Sequence, residues 1–197
     1  NFTVSGSTID FGVAIPATST NDFIFHYGTG LVTTVADGAI TTAKLGDASV
    51  TSAKLASGVG GKVLQVVTSS YGTQVDSSSS TYSDTGLSAS ITPSSTSSQI
   101  LIMANQVGLG KETGNTYGKL KLLRDSTDLI VFEESYGYTN STQANRIGGA
   151  SVVYLDSPST TSSITYKTQF QSGANIASAV VQFNGSDSTI CLMEIAG

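Results

Sequence analysis

The chain has 197 residues, of which 39% are hydrophobic and only 12% charged, with a net charge of −5 at neutral pH. That length supports one ordinary domain plus smaller appendages. The negative charge, with Arg124 and Arg146 the only arginines, argues against a nucleic-acid surface, which needs clustered Lys and Arg.

Residues 1–36 alternate polar and apolar groups (Phe2, Val4; Ile9, Phe11, Val13) and then reach the aromatic run Phe23-Ile24-Phe25-His26-Tyr27. Short strands joined at Ser5-Gly6-Ser7 and across Pro16–Asp22 are expected, in a small β module too short for an independent core. His26, the lone histidine between two aromatics, reads as a packed imidazole rather than a ligand. The chain starts at Asn1 without an initiator Met, which reads as a fragment or processed form of something longer. No signal peptide is expected from its first residues, and no apolar run nears the ~20 residues of a membrane helix.

Residues 37–61 contain a tandem repeat: Asp37-Gly-Ala-Ile-Thr-Thr-Ala-Lys-Leu-Gly is followed by Asp47-Ala-Ser-Val-Thr-Ser-Ala-Lys-Leu-Ala. Ile40, Leu45, Val50 and Leu55 recur every five residues, a spacing that fits neither a helix nor a strand. A segment so thin in apolar surface needs neighbours, and with two copies per chain those neighbours are expected to be the same segment of other chains. The expected unit is an extended apolar residue, a single helical turn capped by Thr41 or Thr51, and a turn at Asp-Gly or Asp-Ala. Ile40, Leu45, Val50 and Leu55 would face a three-fold axis, with Lys44 and Lys54 outward. The alternative is a flexible linker that happens to repeat. Ser57–Gly61 reads as a hinge.

From residue 62 to 197 the pattern is dense β. Ser and Thr outnumber charged residues more than twofold, a composition suited to short strands and tight turns. Strands are expected at 63–69, 80–83, 87–92, 99–109, 118–124, 128–134, 151–155, 163–171, 178–183 and 189–195. Asn184-Gly185 is the strongest hairpin signal. Ser163–Phe170 alternates cleanly, with Ile164, Tyr166 and Phe170 on one face. Gln99–Ala104 and Asp128–Phe132 lack alternation, as in central strands buried on both sides or strands at a subunit contact. Cys191, the only cysteine, lies in the run Ile190–Met193 and reads as a small buried hydrophobe. The fold class expected is all-β: an antiparallel sandwich with jelly-roll as the leading topology.

The decapeptide resembles the shaft repeats of bacteriophage tail fibres, and residues 1–36 are similar to the end of the small β modules that precede such repeats. The stretches Lys62–Val67, Leu87–Ile102, Leu122–Thr127, Tyr154–Lys167 and Thr189–Gly197 are similar to the C-terminal sandwich of marine and cyanobacterial phage tail fibres. The resemblance implies a homotrimeric virion appendage, joined to the rest of the phage tail, whose terminal domain contacts a host cell-surface glycan or outer-membrane component. The matching residues are framework, so they say nothing specific about a receptor.

Chemistry is sparse. Glu133-Glu134 is the only adjacent acidic pair, and neighbours in a strand point to opposite faces, so they cannot converge on one glycosidic bond. Asp125 and Asp128 bracket a turn, where Asx-turns outrank calcium binding. No catalytic set, cofactor motif or metal cluster is expected. Two irregular stretches, Lys111–Tyr117 and Ser135–Gly149, depart from the framework and concentrate Tyr117, Tyr136, Tyr138, Asn140, Asn145 and Arg146. Tyr with Asn, Ser and Gly combines rigid aromatic area with adaptable hydrogen bonding, a composition that supports recognition. These six are the receptor-binding candidates. The alternatives are a virion spacer or decoration protein without a ligand and, further off, a polysaccharide depolymerase.

Overall fold

The computed structural model describes residues 3–6, 8–10, 35, 37–51, 54–55, 62–173 and 177–197. The expected strands and the aromatic run between residues 11 and 34, His26 included, lie outside them, as does the hinge at 57–61. The chain packs as two compact units, Asn1–Thr51 and Ser52–Gly197.

In the first unit, β1 (Thr3–Ser5) and β2 (Thr8–Asp10) pair antiparallel across Gly6, as the sequence suggests. The first repeat forms a single 3-10 turn at Thr42–Lys44. Thr41 stands at its N-cap without a side-chain cap, which corrects the expected capping. In so tight a turn the Thr41 carbonyl, not its hydroxyl, takes the Lys44 N–H (2.9 Å). The corresponding turn at Thr51 involves residues outside those described. Gly38 and Ala48 occupy equivalent left-handed positions (φ 74° and 58°), so the two copies open on the same turn conformation. Lys44 is exposed and reaches back to the Ala39 carbonyl (2.7 Å).

The second unit is built from β3 (Val63–Tyr71), β4 (Val75–Ser77), β5 (Ser83–Ile91), β6 (Gln99–Lys111), β7 (Gly118–Arg124), β8 (Thr127–Tyr136), β9 (Asn145–Asp156), β10 (Ile164–Ser172), β11 (Ala179–Val181) and β12 (Ser188–Ile195). Its pairing is nested: β7 with β8, β6 with β9, β5 with β10 and β3 with β12, all antiparallel. Rolling this nest closes two sheets, one ordered β5-β10-β7-β8, the other placing β3, β12, β6 and β9 side by side. This is the connectivity of a jelly-roll sandwich, and the fold class is the one the strand pattern implies. The small β4 and β11 extend the larger sheet beside the far end of β6.

The core follows from strand alternation. Leu87, Ile91, Leu122, Ile164 and Tyr166 of one sheet meet Ile100, Ile102, Val152, Ile190 and Leu192 of the other. A second cluster gathers Leu109, Leu120, Tyr136, Phe170, Ala179 and Val181. Along β6 and β10 the two clusters are separated by Gln106 and Thr168. The Thr168 hydroxyl donates to Gln106 Oε1 (2.9 Å), which leaves the Thr85 hydroxyl to donate to Thr168 Oγ1 (2.6 Å); Gln106 Nε2 donates to Ser188 Oγ (2.9 Å). This chain of buried hydrogen bonds ties the sheets together and fixes their register, because a slip would strand several polar atoms without partners.

Three expectations need correction. Asp128–Phe132 is not central: β8 is an edge strand, with Ile130 and Val131 exposed. Residues 80–83 are not a separate strand, and β4 forms earlier, at Val75–Ser77. Asn184-Gly185 does take left-handed angles (φ 56° and 76°), yet it does not close a hairpin. It lies in a 3-10 turn between β11 and β12, which run in line along the same edge of β6. Val180 and Val181 are fully buried against β6 and β4, and this packing overrides the local preference to fold back.

Glu194, buried near the chain's point of entry, accepts from the Ser94 N–H (2.7 Å), the Ser94 hydroxyl (2.6 Å) and Gln65 Nε2 (2.6 Å). Burial would raise its pKa, but these donors outweigh it and hold the carboxyl at about 2, below the ordinary 4.5. A depressed pKa stabilises the fold above the ordinary value, and that contribution is lost as pH falls from about 4.5 toward 2. Thermal melts between pH 5 and 2 should therefore fall more steeply for the natural chain than for Glu194→Gln. Parallel slopes would show that Glu194 carries no such linkage.

Candidate functional site

The sandwich has two ends. The chain enters β3 at Val63, which pairs with Ile195, and Ile195 pairs with Gln99, so these residues mark the entry end. Strand β6 then runs 13 residues, about 40 Å at roughly 3.3 Å each, to Lys111 at the opposite end. Both irregular stretches emerge there, as the connections β6–β7 (112–117) and β8–β9 (137–144).

Lys111 organises them. It is fully buried, and its ammonium donates to the backbone carbonyls of Gly114 (2.8 Å) in the first loop and of Thr139 (3.2 Å) and Ser141 in the second. Arg146 adds a second tie. Its guanidinium donates to the Lys111 carbonyl, pairs with Glu112 and lies 4.1 Å from the centre of the Phe183 ring. Asn145 Nδ2 donates to the Gly137 carbonyl (3.1 Å). Asn145 and Arg146, two of the six candidates, thus hold the loops in place and are half-buried.

Tyr117 and Tyr138 form the aromatic part. Their rings meet edge to face, with centroids 6.1 Å apart and planes at 77°. Tyr138 is 52% exposed and Asn140 is exposed beside it in sequence. Lys119 lies 6.0 Å from the Tyr117 ring and pairs with Glu134 (2.7 Å). Tyr82, which sequence reading passed over, sits under Lys121 at 4.3 Å, and its phenol is raised above the ordinary pKa by burial and then by Glu134.

Tyr136 does not belong to this surface. It is 2% exposed, at the end of β8, and its ring fills the space beside Gly118, where a Cβ would lie 1.9 Å from the ring. A side chain so enclosed is a core element and cannot anchor a ligand, which corrects its listing among the candidates. Burial raises its phenol well above the ordinary range, so it stays neutral. Glu133 and Glu134 are engaged separately: Glu133 accepts the Ser135 N–H (3.0 Å) and Glu134 pairs with Lys119. Among the described residues, no group of three His, Cys, Asp or Glu could hold a metal.

No family model and no curated protein matches the chain. Among solved structures it is similar to the infectious bursal disease virus VP2 subviral particle, at 13% identity with a TM-score of 0.38, over 68% of this chain. The match spans 37% of that protein's length.

The four repeat positions Ile40, Leu45, Val50 and Leu55 remain between 36 and 57% exposed in the single chain. Cys191, expected to be buried, is half-exposed. Its neighbours Ile190 and Leu192 face the core, and strand alternation turns Cys191 to the opposite face of the sheet.

Proposed function

We propose that the chain is the receptor-binding end of a bacteriophage tail fibre, a homotrimer in the virion that attaches to a glycan or outer-membrane component of the host surface. One observation carries the reading: the two loops with recognition composition converge at the end of the sandwich opposite the point of chain entry. A fibre domain that enters at one end presents its far end outward. The loops there are pinned by Lys111 and Arg146, so the exposed Tyr138 and the half-buried Tyr117 are held rigid, and ordering costs little on binding.

Tyr138 and Tyr117 are the expected anchors, because binding energy concentrates in a few aromatic or Arg side chains. Replacing either by Ala should weaken adsorption of the purified chain to host cells about tenfold, on the order of 1–2 kcal/mol. Melting should change little for the exposed Tyr138 and fall for Tyr117, which is half-buried with its ring against Gly173. Tyr136→Ala should instead destabilise the fold. Adsorption unchanged in both loop variants would move the site elsewhere.

Assembly is tested separately. Leu45→Asp with Leu55→Asp would set carboxylates against one another in an apolar axis, so the double variant should lose its trimeric mass by sedimentation. A double variant that remains trimeric and equally heat-stable would show that the repeats do not join the chains.

A further inference from the structure

The outer face of the larger sheet is apolar where a jelly roll facing water would be polar. Cross-strand register fixes what stands there, since paired residues share a face. One row runs Leu155, Leu101, Met193, Val66, and the next runs Val153, Met103, Cys191, Thr68. Val153, Val66 and Leu155 are 67, 53 and 51% exposed. A third row, from Ser151 to Ser70, is neutral and polar. The chain carries 9 basic and 14 acidic residues, yet none falls in these three rows. A hollow of about 640 Å³ lies on this face, lined by Thr68, Met103, Asn105, Val153 and Cys191.

We infer that this face packs against the same face of two further copies of the chain, so that three large sheets enclose the fibre axis and the small sheets face outward. The inference rests on the trimeric reading above and names the surface through which the sandwich joins it. A face without charge offers nothing to an ionic partner and matches another uncharged apolar face.

Size points to the same occupant. The four strands at about 4.8 Å spacing span about 19 Å, and the three rows cover roughly 17 Å along the strands, or about 320 Å². Even with the polar row included, that is within the roughly 300–600 Å² of the largest patch on an ordinary monomer and well under the roughly 800 Å² per partner of a stable interface. It therefore needs a second contact in the same assembly, and the exposed repeat residues provide one. Val63 follows Leu55 by only eight positions, so the two surfaces are tethered in each chain.

Geometry sets the number of copies. Three faces about 19 Å wide, closed into a triangular prism, stand about 5.5 Å from the axis. Sheets pack about 10 Å apart, so each side-chain layer is about 5 Å deep and fills that space. Four copies would leave the faces about 9.5 Å from the axis, with a hole between them. The two neighbours' side chains occupy the hollow around Cys191.

The test uses the full chain. Val66→Asp with Val153→Asp changes two positions that are exposed in the single chain, so each copy should fold while the trimer comes apart in sedimentation. The Cys191 thiol supplies an independent readout. In the natural trimer its reaction with a maleimide should be at least tenfold slower than in the folded Val66→Asp/Val153→Asp variant. A natural trimer whose Cys191 reacts as fast as in that variant, or a variant that stays trimeric, would overturn the inference. If Leu45→Asp/Leu55→Asp nevertheless dissociates, the trimeric fibre reading survives and only the sheet face is excluded. A natural chain that sediments as a monomer or dimer would overturn both.

Discussion

Asp156→Ala should cost about 3–5 kcal/mol of stability, the largest effect expected of any single substitution outside the apolar core. Asp156 ends β9 almost fully buried and accepts from both sides. The Arg124 guanidinium donates to its two carboxylate oxygens (2.9 and 2.7 Å), and the Tyr166 hydroxyl donates to Oδ2 (2.6 Å). Burial alone would lower the Arg124 pKa, but the hydrogen bonds and charge of Asp156 raise it instead. The Tyr166 phenol is raised by burial and then by its bond to Asp156, so it remains a neutral donor. Removing Asp156 strands a half-buried cation and a buried hydroxyl together. At roughly 2–4 °C per kcal/mol for a chain this long, melting should fall by about 6–20 °C. Asp156→Asn keeps an acceptor for Tyr166 and should lose less. Equal losses in the two variants would mean that charge, not the hydroxyl, accounts for the whole effect.

Lys111→Met is the second large effect, and it reaches the proposed site. Methionine fills much the same volume but leaves the carbonyls of Gly114, Thr139 and Ser141 without their common donor. The expected cost is about 2–4 kcal/mol, since each unsatisfied buried acceptor is worth about 1–3 and water reaches the exposed Ser141 side. The loops should loosen before the sandwich does. Hydrogen exchange should speed up in 112–117 and 137–144 while β7 and β10 stay protected, and cell adsorption should fall with it. Adsorption at full strength with loosened loops would show that loop order is not needed for binding.

Much of the sandwich was legible because its strands alternate. β7 forms at the bounds its pattern implies, 118–124, and Ile164, Tyr166 and Phe170 are buried as their spacing suggests. Gln99–Ala104 is central, but only one of its faces lies in the core and the other is half-exposed, which corrects burial on both sides. β4 escaped notice because Val75 is its lone apolar residue. Asn184-Gly185 misled because turn chemistry specifies dihedral angles, not which strand takes the next segment.

The site was legible as two loops but not residue by residue. Tyr136 and Tyr138 share a local composition, yet Gly137 (φ 73°) reverses the chain between them, leaving one ring in the core and the other in solvent. Arg146 reads as a free anchor in sequence and is instead engaged by Glu112 and Phe183. Lys111 and Asp156 gave no signal, since burial of a charge depends on partners distant in sequence.

Whether the chain is a receptor-binding fibre end is decided by binding of the fluorescently labelled natural chain to intact bacterial cells, across a panel that includes cyanobacteria. Saturable binding to at least one strain, displaced by excess unlabelled chain and weakened by Tyr138→Ala, is the result expected of a fibre tip. Binding to none of them, or binding that neither saturates nor responds to Tyr117→Ala and Tyr138→Ala, would contradict it.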